Sequence, residues 1–595
     1  MKSAIAFILH LTTGKWNEAH DLLLSLQQTT DEDNHTRDAI AKYADWHSRT
    51  ALHFAIRHPD CMPPVSLIRD LVEIVGTHTA CCDADGRTPL AYACRFVSEF
   101  SSASGRRLKE EAEQELLDIL SILSQQCLVT GRYPALIMDK HDRVPLHVIC
   151  ILSRSAAAAI DDNNYMYNNN VQHNIMELPQ EVQQQRAAAL CSVYLKRAVQ
   201  LMLQTPINCR NDTAAHISDY FKRLPLHYAF LNSIPIPIVE MLIRAHPAAL
   251  YMCDANGNAP MHYLMSANEA YISSVLDVIA ALGGGDGSSC DIMSAALLVQ
   301  NREDGTTPIH MAMSSYLSER LVCRLLQCEP KVANVVCTVY GSLPIHSAIR
   351  TSKKSLNDYF NLISELVSCA PSSLMCKDRG GRTPLMLAVQ SSARISVETF
   401  QVLINGDLGA IHIPCKILGI APLEQLWSQR PPGMALINSM ETIGLCPQFQ
   451  EFWSKLELFL YASYALYSKY DAALPPVDVR GVKKHIIHAA AIAPTPETLL
   501  RSLLRLFPEQ VCERNEFDQK LPYQLAVDSG KSPNCVRLIL KTFPQAISME
   551  EVHSYTLANV LSILNTDDDG INTVYQIVQI NPDICNLAAR GANVV

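Results

Sequence analysis

The chain has 595 residues, of which 48% are apolar, 18% are charged and 7% are aromatic, and its net charge is −10 at pH 7. This length exceeds what one hydrophobic core usually serves, and this apolar content excludes a largely disordered chain. The negative charge repels a phosphate backbone at long range, so no nucleic-acid partner is predicted. Composition and charge therefore favour a folded soluble protein made of several domains or of one elongated array.

Two helices are predicted at the N-terminus, over residues 4–11 and 16–26. The first is a short apolar run with no small-residue cleavage site after it, so it is interpreted as part of the fold and not as a signal peptide. No stretch approaches ~18 uninterrupted apolar residues, so no membrane span is expected. We therefore expect an intracellular protein of the cytoplasm, with the nucleus as the alternative compartment.

One short phrase then recurs along the chain. Its first copy is Arg49-Thr50-Ala51-Leu52-His53-Phe54-Ala55. Later copies have proline at the third position and begin near Thr88, Val144, Leu224, Ala259, Thr307, Leu343 and Thr383, with weaker copies near Ala421, His485 and Leu521. Six of the ten intervals between equivalent positions measure 35 to 40 residues, and the others are longer. A period in this range indicates a repeat architecture.

A second pattern lies between the copies of the phrase. Apolar stretches end in a proline, and a polar turn such as Asp254-Ala255-Asn256-Gly257-Asn258 leads from there to the next copy. Glycine and asparagine permit the positive φ that such a turn requires. Each unit is therefore predicted to consist of a turn, a helix that begins at the proline of the phrase, a short loop and a second helix.

The phrase resembles the Thr-Pro-Leu-His-x-Ala signature of the ankyrin repeat, whose units are about 33 residues long. The resemblance implies an all-α, ankyrin-like helix-turn-helix solenoid of about 11–13 repeats with loop insertions. It also implies that the histidine of the phrase is structural and hydrogen-bonds neighbouring backbone and threonine side chains, which joins one unit to the next. The histidines at this position are His53, His147, His227, His262, His310, His346 and His488.

Insertions interrupt the period and divide the predicted array. Residues 156–186 are rich in Asn and Gln, and we expect a mobile loop there because such tracts bury too little apolar surface to become ordered. Residues 434–481 carry aromatic side chains at helical spacing. They are predicted to form an inserted helix packed on the core, with a partner-binding patch as the alternative. The expected domains are a repeat block at 1–433, the aromatic segment at 434–481 and further repeats at 482–595.

No sequence pattern indicates catalysis, a cofactor or a metal. Phosphate-binding loops, nucleophile elbows and metalloprotease motifs are missing, and the 20 cysteines include no CxxC pair. The signature histidines are too regular for an active site, since stacked units would set them on the order of 10 Å apart. We therefore expect a protein that is not an enzyme. An undetected enzyme within 434–481 is the alternative, but this segment is too short for a typical catalytic domain.

The resemblance to ankyrin repeats implies a function in protein binding. Turn tips and first helices of such arrays line a concave surface, where exposed residues vary without disturbing the buried stack. The predicted function is a non-catalytic protein–protein interaction scaffold or adaptor, and the alternative is a regulatory or substrate-adaptor subunit of an enzyme complex. The predicted partner contacts are Arg87, Asn256, Asn258, Tyr340, Arg382 and Phe517; for each, a merely solvated turn residue is the alternative.

Overall fold

The computed structural model describes most of the chain. The described residues are 2–26, 31–57, 63–73, 79–95, 110–125, 133–152, 193–204, 213–282, 288–315, 317–352, 360–416, 419–437, 439–467, 485–515, 518–543, 574–575 and 578–579. The predicted loop at 156–186 lies outside these residues.

Among the described residues, all regular elements are helices, and the β-structure is limited to one isolated bridge between Cys337 and Ser342. The predicted all-α class is therefore confirmed for this part of the chain. The chain divides into two compact units, residues 1–321 and 322–595. The aromatic segment at 434–481 belongs to the second unit.

The α-helices of the first unit include both predicted N-terminal helices, and residues 89–95 are helical as well. They are α1 (Lys2–Thr12), α2 (Trp16–Ser25), α3 (Asp31–Ala41), α4 (Ala51–Arg57), α5 (Val65–Glu73), α6 (Glu110–Ser124), α7 (Pro145–Leu152), α8 (Val193–Leu203), α9 (Pro225–Leu231), α10 (Ile236–Ala245), α11 (Pro260–Leu264), α12 (Glu269–Leu282), α13 (Ser288–Leu298) and α14 (Pro308–Ser314). Helix α15 (Glu319–Cys328) contains the division between the units.

The second unit continues the same alternation of short and longer helices. They are α16 (Pro344–Ser352), α17 (Phe360–Cys369), α18 (Pro384–Val389), α19 (Val397–Gly406), α20 (Pro422–Ser428), α21 (Met440–Leu445), α22 (Pro447–Tyr467), α23 (Ile486–Ile492), α24 (Glu497–Leu506), α25 (Pro522–Asp528) and α26 (Pro533–Thr542). Short 3-10 helices follow several of the longer ones, at Pro247–Tyr251, Pro330–Asn334, Pro371–Met375, Leu408–His412 and Pro508–Val511.

A proline begins the helix at 89–95 and eight further first helices, as the recurring phrase predicts. The preceding residue is extended, as at Leu224 with φ −81° and ψ 159°. Proline suits the first helical position because the N–H it lacks would have no partner within the helix. The eight further prolines are Pro145, Pro225, Pro260, Pro308, Pro344, Pro384, Pro422 and Pro522.

The longer helix that follows a first helix, such as α10, is amphipathic and ends just before the proline that closes the apolar stretch in the sequence. Helix α10 buries Ile238, Val239, Leu242 and Ile243, which share one face at helical spacing. Pro247 then starts a 3-10 helix, which ends the longer helix because proline cannot continue the hydrogen-bond pattern. First helices of neighbouring phrases contact each other, as α9 contacts α7 and α11.

Helix α22 carries the aromatic side chains of the inserted segment. Phe452, Trp453, Phe459 and Tyr464 are all buried, and the helix packs on α19 and α23. A buried lysine, Lys455, bonds Glu451 and the carbonyl of Ser392. These four aromatic side chains therefore face the core, whereas Phe449, Tyr461 and Tyr467 of the same helix are half-buried. Within the described residues, no helix is both long and apolar enough to cross a bilayer.

Candidate functional site

Six of the turns before first helices are built around the carboxylate of an aspartate. Oδ1 of Asp83 accepts hydrogen bonds from the main-chain N–H groups of Asp85 and Arg87, at 2.9 and 2.8 Å. A further bond of 2.9 Å from the N–H of Asp83 to the carbonyl of Arg87 closes the turn. Aspartate favours this geometry because its short side chain bonds its own backbone two residues on. The same arrangement recurs at Asp45, Asp139, Asp219 and Asp254 in the first unit and, with one bond to Oδ1, at Asp378 in the second.

Main-chain hydrogen bonds join successive turns into what we call the turn ladder. In the first unit, the N–H groups of Ala84, Lys140, Tyr220, Ala255 and Arg302 donate to the carbonyls of His47, Asp85, His141, Phe221 and Asn256, over 2.7 to 2.9 Å. In the second unit, Arg379 donates to Tyr340 over 2.9 Å and Lys416 to Gly381 over 3.4 Å. Because only main-chain atoms form these bonds, side chains at the tips are free to differ.

The signature histidines add a second link between turns. Nδ1 of His227 accepts the N–H of Leu224 at 2.9 Å, so the ring proton lies on Nε2, which donates to the carbonyl of Asn258 in the next turn at 3.2 Å. His53, His147 and His262 make the same pair of bonds, to the carbonyls of Arg87, Arg223 and Thr306. Nδ1 of His310 accepts the main-chain N–H of Thr307 and lies within hydrogen-bond distance of the Thr307 hydroxyl.

Two histidines of the second unit depart from this pattern. Nδ1 of His346 accepts the N–H of Leu343 at 3.2 Å, but its buried Nε2 meets no hydrogen-bond partner among the described residues. His488 shows the reverse arrangement: Nε2 donates to the carbonyl of Glu513 at 3.0 Å, whereas Nδ1 meets none among the same residues. Each of the two therefore lacks one of the bonds that His227 makes.

Burial keeps these imidazoles neutral. Desolvation lowers the pKa of His227, His346 and His488 to about 4 in each case. The pKa values of His53, His147 and His262 are lowered for the same reason. A proton added at Nδ1 would also remove the acceptor for the main-chain N–H, so the neutral form is the one that fits the turn.

The second oxygen of the turn aspartate is held by tyrosine or arginine. Tyr228 donates its hydroxyl to Asp219 at 2.6 Å, and Tyr263 does the same to Asp254. In the second unit, Arg350 and Arg382 both reach Oδ2 of Asp378, each at 2.8 Å. These bonds lower the pKa of Asp378, although its desolvation acts in the opposite direction. The carboxylates of the turns are thus internal supports of the fold.

One position in each turn has a left-handed backbone, and its residue type limits the next turn. Glycine occupies it at Gly86, Gly257, Gly341 and Gly381, where a Cβ would crowd the following turn. At Gly257 such an atom would lie 2.7 Å from the main-chain nitrogen of Arg302. The four turns that follow these glycines begin with a basic residue, namely Lys140, Arg302, Arg379 and Lys416. Ser48, Asp142 and Lys222 hold the position elsewhere, and the turns after them begin with Ala84, Tyr220 and Ala255.

The structure shows that several of the predicted partner contacts also take part in the hydrogen bonds of the turns. Arg87, Asn256 and Asn258 are half-buried, and their carbonyls accept bonds from His53, Arg302 and His227 respectively. Arg382 turns its guanidinium inward to Asp378. Tyr340 is exposed, with 57% of its surface accessible. Phe517 lies outside the described residues.

Two exposed aromatic residues at turn tips were missed by the sequence analysis. Trp46 and Tyr220 directly follow the turn aspartates Asp45 and Asp219, and they are 85% and 68% exposed. Both residues could have been predicted from the sequence, since each is a large aromatic residue directly after a turn aspartate. The carboxylate of that aspartate bonds the main chain of its own turn, and the side chain of the next residue points away from it. Together with Tyr340 they are the largest exposed side chains of the turn ladder.

Among the described residues, no group of three or more His, Cys, Asp or Glu side chains converges as a metal site. The described cysteines are free thiols. The signature histidines form their hydrogen bonds mainly with main-chain atoms of the turns.

Comparison with known proteins adds little. No protein-family model matches the chain, and no curated protein matches it. Among solved structures, a similar one is the complex of the predatory endopeptidase Bd0816 from Bdellovibrio bacteriovorus with the immunity protein Bd3460. It is 16% identical over 34% of this chain and 90% of that chain, with a TM-score of 0.25. A score this low carries no argument about fold or function.

Proposed function

We propose that this chain is a divergent ankyrin-repeat protein whose units form solenoid segments, and that it is a non-catalytic scaffold that binds other proteins through its turn tips. The turn ladder is the observation that carries the proposal. Its main-chain bonds recur with the signature phrase, and the first helices of the phrase copies from α4 to α20 begin immediately after turns that these bonds join. Regular stacking of this kind buries a continuous core and leaves the tips to vary.

The tips suit protein partners better than small molecules. Trp46, Tyr220 and Tyr340 are exposed aromatic residues, and such side chains supply much of the binding energy of protein interfaces. They project from turns whose main chain is tied to its neighbours, so ordering them on binding costs little conformational entropy. The free thiols of the described cysteines accord with a reducing, intracellular compartment.

Photo-cross-linking in native cells tests this proposal. A photoreactive phenylalanine analogue at Trp46, Tyr220 or Tyr340 is expected to capture discrete partner proteins, identified by mass spectrometry. The matched control places the analogue at Glu441, an exposed helical residue away from the turns. Equal capture at Glu441, or no capture at any tip, would reject binding through the tips. Recovery of one fixed catalytic subunit from every tip would favour the alternative of a regulatory or substrate-adaptor subunit.

A further inference from the structure

The second unit carries a cluster of exposed side chains that we call the basic turn patch. It consists of Tyr340, Lys377, Arg379 and Lys416, which come from three successive turns joined by main-chain hydrogen bonds. All four are exposed. Arg350 lies over the ring of Tyr340, with its guanidinium carbon 5.8 Å from the ring centre. Neighbouring tips thus present one aromatic ring and three cationic groups.

Glycine geometry sets the positions of two of these cations. A Cβ at Gly341 would lie 3.1 Å from the main-chain nitrogen of Arg379 and 3.2 Å from its Cγ. The aliphatic stem of Arg379 therefore lies directly against the turn that carries Tyr340. Lys416 packs against Gly381 in the same manner, through its Cβ. Because the stems rest on main chain, the charged groups are presented by a rigid support and not by a freely moving loop.

The patch is positively charged within an acidic chain. The three stretches 330–343, 371–383 and 408–421 contain five basic residues and a single carboxylate, that of Asp378. Both Arg350 and Arg382 bind Oδ2 of Asp378, and Oδ1 accepts the N–H of Arg382. That carboxylate is therefore committed to its own turn and leaves Lys377, Arg379 and Lys416 uncompensated within these stretches, although the whole chain carries a net charge of −10.

We propose that the basic turn patch binds an extended acidic segment of a partner protein. Carboxylates of the segment pair with Arg379 and Lys416, and an apolar side chain of the segment packs on Tyr340. Arginine suits this role because its planar guanidinium takes a carboxylate with two parallel hydrogen bonds. The inference rests on the proposed function and specifies the chemistry of one partner.

A phosphate backbone fits the patch less well than an acidic peptide does. Nucleic-acid binding draws its affinity from many cation–phosphate contacts, whereas three exposed cations lie here beside an aromatic ring. The rest of the chain is acidic and repels an extended polyanion. A short acidic segment with apolar residues matches both the size of the cluster and its composition.

The test is fluorescence anisotropy with the full chain and a labelled peptide of four Glu-Glu-Leu repeats, at low and at high salt. Binding is expected to weaken with salt, and the double variant Arg379→Glu/Lys416→Glu is expected to lose affinity about tenfold or more. Tyr340→Ala is expected to lose less. The matched control is Arg302→Glu in the first unit, which stands at the same turn position against Gly257 and is expected to bind as the parent chain does. Arg379→Gln/Lys416→Gln replaces the double variant if circular dichroism shows that charge reversal unfolds it.

Three outcomes would overturn the proposal. They are equal losses in Arg302→Glu and in the double variant, no salt-sensitive binding of the peptide, or tighter binding of a DNA homopolymer of equal charge or of phosphatidylserine vesicles than of the peptide. The photo-cross-linking experiment separates this failure from that of the proposed function. If capture at Trp46 and Tyr340 persists in the double variant while peptide binding does not depend on the patch, the scaffold proposal stands and the acidic partner is rejected.

Discussion

Turns joined by main-chain hydrogen bonds occur within each of the two units, but the side chains that these turns present differ. In the first unit, the residues that begin successive turns are Trp46, Ala84, Lys140, Tyr220, Ala255 and Arg302, so aromatic, small and basic residues alternate. In the second unit, glycine holds the left-handed position at Gly341 and Gly381 in succession, and the turns after them begin with Arg379 and Lys416. The same main-chain scaffold therefore yields a mixed surface in one unit and a basic one in the other.

This difference indicates how the sequence of one turn constrains the next. A glycine without Cβ leaves space for the stem of a long cationic side chain from the following turn. Where Ser48, Asp142 or Lys222 fills that position, no basic residue begins the turn that follows. At these turns the side chain presented at a tip therefore depends on the residue in the preceding turn, although the turn after Gly305, another left-handed glycine, begins with Thr338 and not with a basic residue.

Acid should lower the stability of both units, because both contain signature histidines that are neutral in the folded protein. This is the largest effect that we predict. The folded-state pKa of about 4 for His227, His346 and His488 lies below the unfolded value of about 6.5. Stability is therefore fully present above pH 6.5 and is lost as the pH falls toward 4. Each of the three should lose about 2 kcal/mol by pH 5 and about 3 kcal/mol near pH 4.

Urea unfolding at a series of pH values measures this loss. The variant His227→Gln serves as the control, because Gln524 already occupies the equivalent position and accepts the N–H of Leu521 at 2.8 Å. Its unfolding free energy should depend less steeply on pH between 6.5 and 4. Unfolding midpoints that stay constant from pH 7 to pH 5 would contradict the histidine model.

Filling a glycine of the ladder should cost less than the combined effect of acid on the three histidines. In Gly381→Ala the new methyl group meets the Cβ of Lys416 and its main-chain nitrogen, and the residue has a positive φ of +68°. We expect a loss of about 3–4 kcal/mol, from backbone strain and from displacement of the next turn. Gly419→Ala is the matched control: its φ is also +68°, but no atom of the described residues lies within 4 Å of the new atom. It should lose only about 1 kcal/mol, and equal losses in thermal or urea unfolding would show that crowding plays no part.

Removing signature histidines should distinguish the two units. His227→Ala removes a bond from Leu224 and one to Asn258, and it leaves two main-chain groups without a partner, which should cost about 2–3 kcal/mol. His346→Ala removes only the bond from Leu343 and should cost about 1 kcal/mol less. The comparison is made by urea unfolding of both variants. Unchanged stability combined with lost partner binding would instead assign these histidines to the binding surface.

Relieving strain in the first unit should give the smallest effect, and of opposite sign. Lys222 has a φ of +59° without being glycine, a conformation that costs about 1 kcal/mol or more for residues with a Cβ. Lys222→Gly should raise the free energy of unfolding by about 0.5 kcal/mol, because the greater freedom of glycine in the unfolded chain offsets part of the gain. The substitution Lys541→Gly at an exposed position of α26 serves as a control and should destabilise the protein.

Much of the fold follows from the local sequence, since its signals act over a few residues. The proline of the phrase starts the first helix at Pro225 and at eight equivalent positions, and prolines such as Pro247 mark the end of the second. The all-α class was predicted on these signals and is confirmed for the described residues. The ankyrin-like architecture and the scaffold function remain proposals.

The tip residues show where this reasoning loses its power. Tyr340 was predicted to be available to a partner and is exposed, whereas Arg382 was predicted on the same basis and binds Asp378 instead. Both are large residues at a turn, and nothing in the local pattern tells them apart. The difference depends on whether a buried carboxylate lies within reach in the folded chain.

Local sequence was therefore sufficient for the starts of the first helices, the turn positions and the recurrence of the histidines, because proline, glycine and aspartate act on their own backbone within about four residues. The identity of the tip surface required the fold. Arg379 and Lys416 become neighbours of Tyr340 and Gly381 through main-chain bonds between turns that are far apart in sequence. Such contacts depend on how each unit packs on the next, and no pattern within a single repeat encodes that packing.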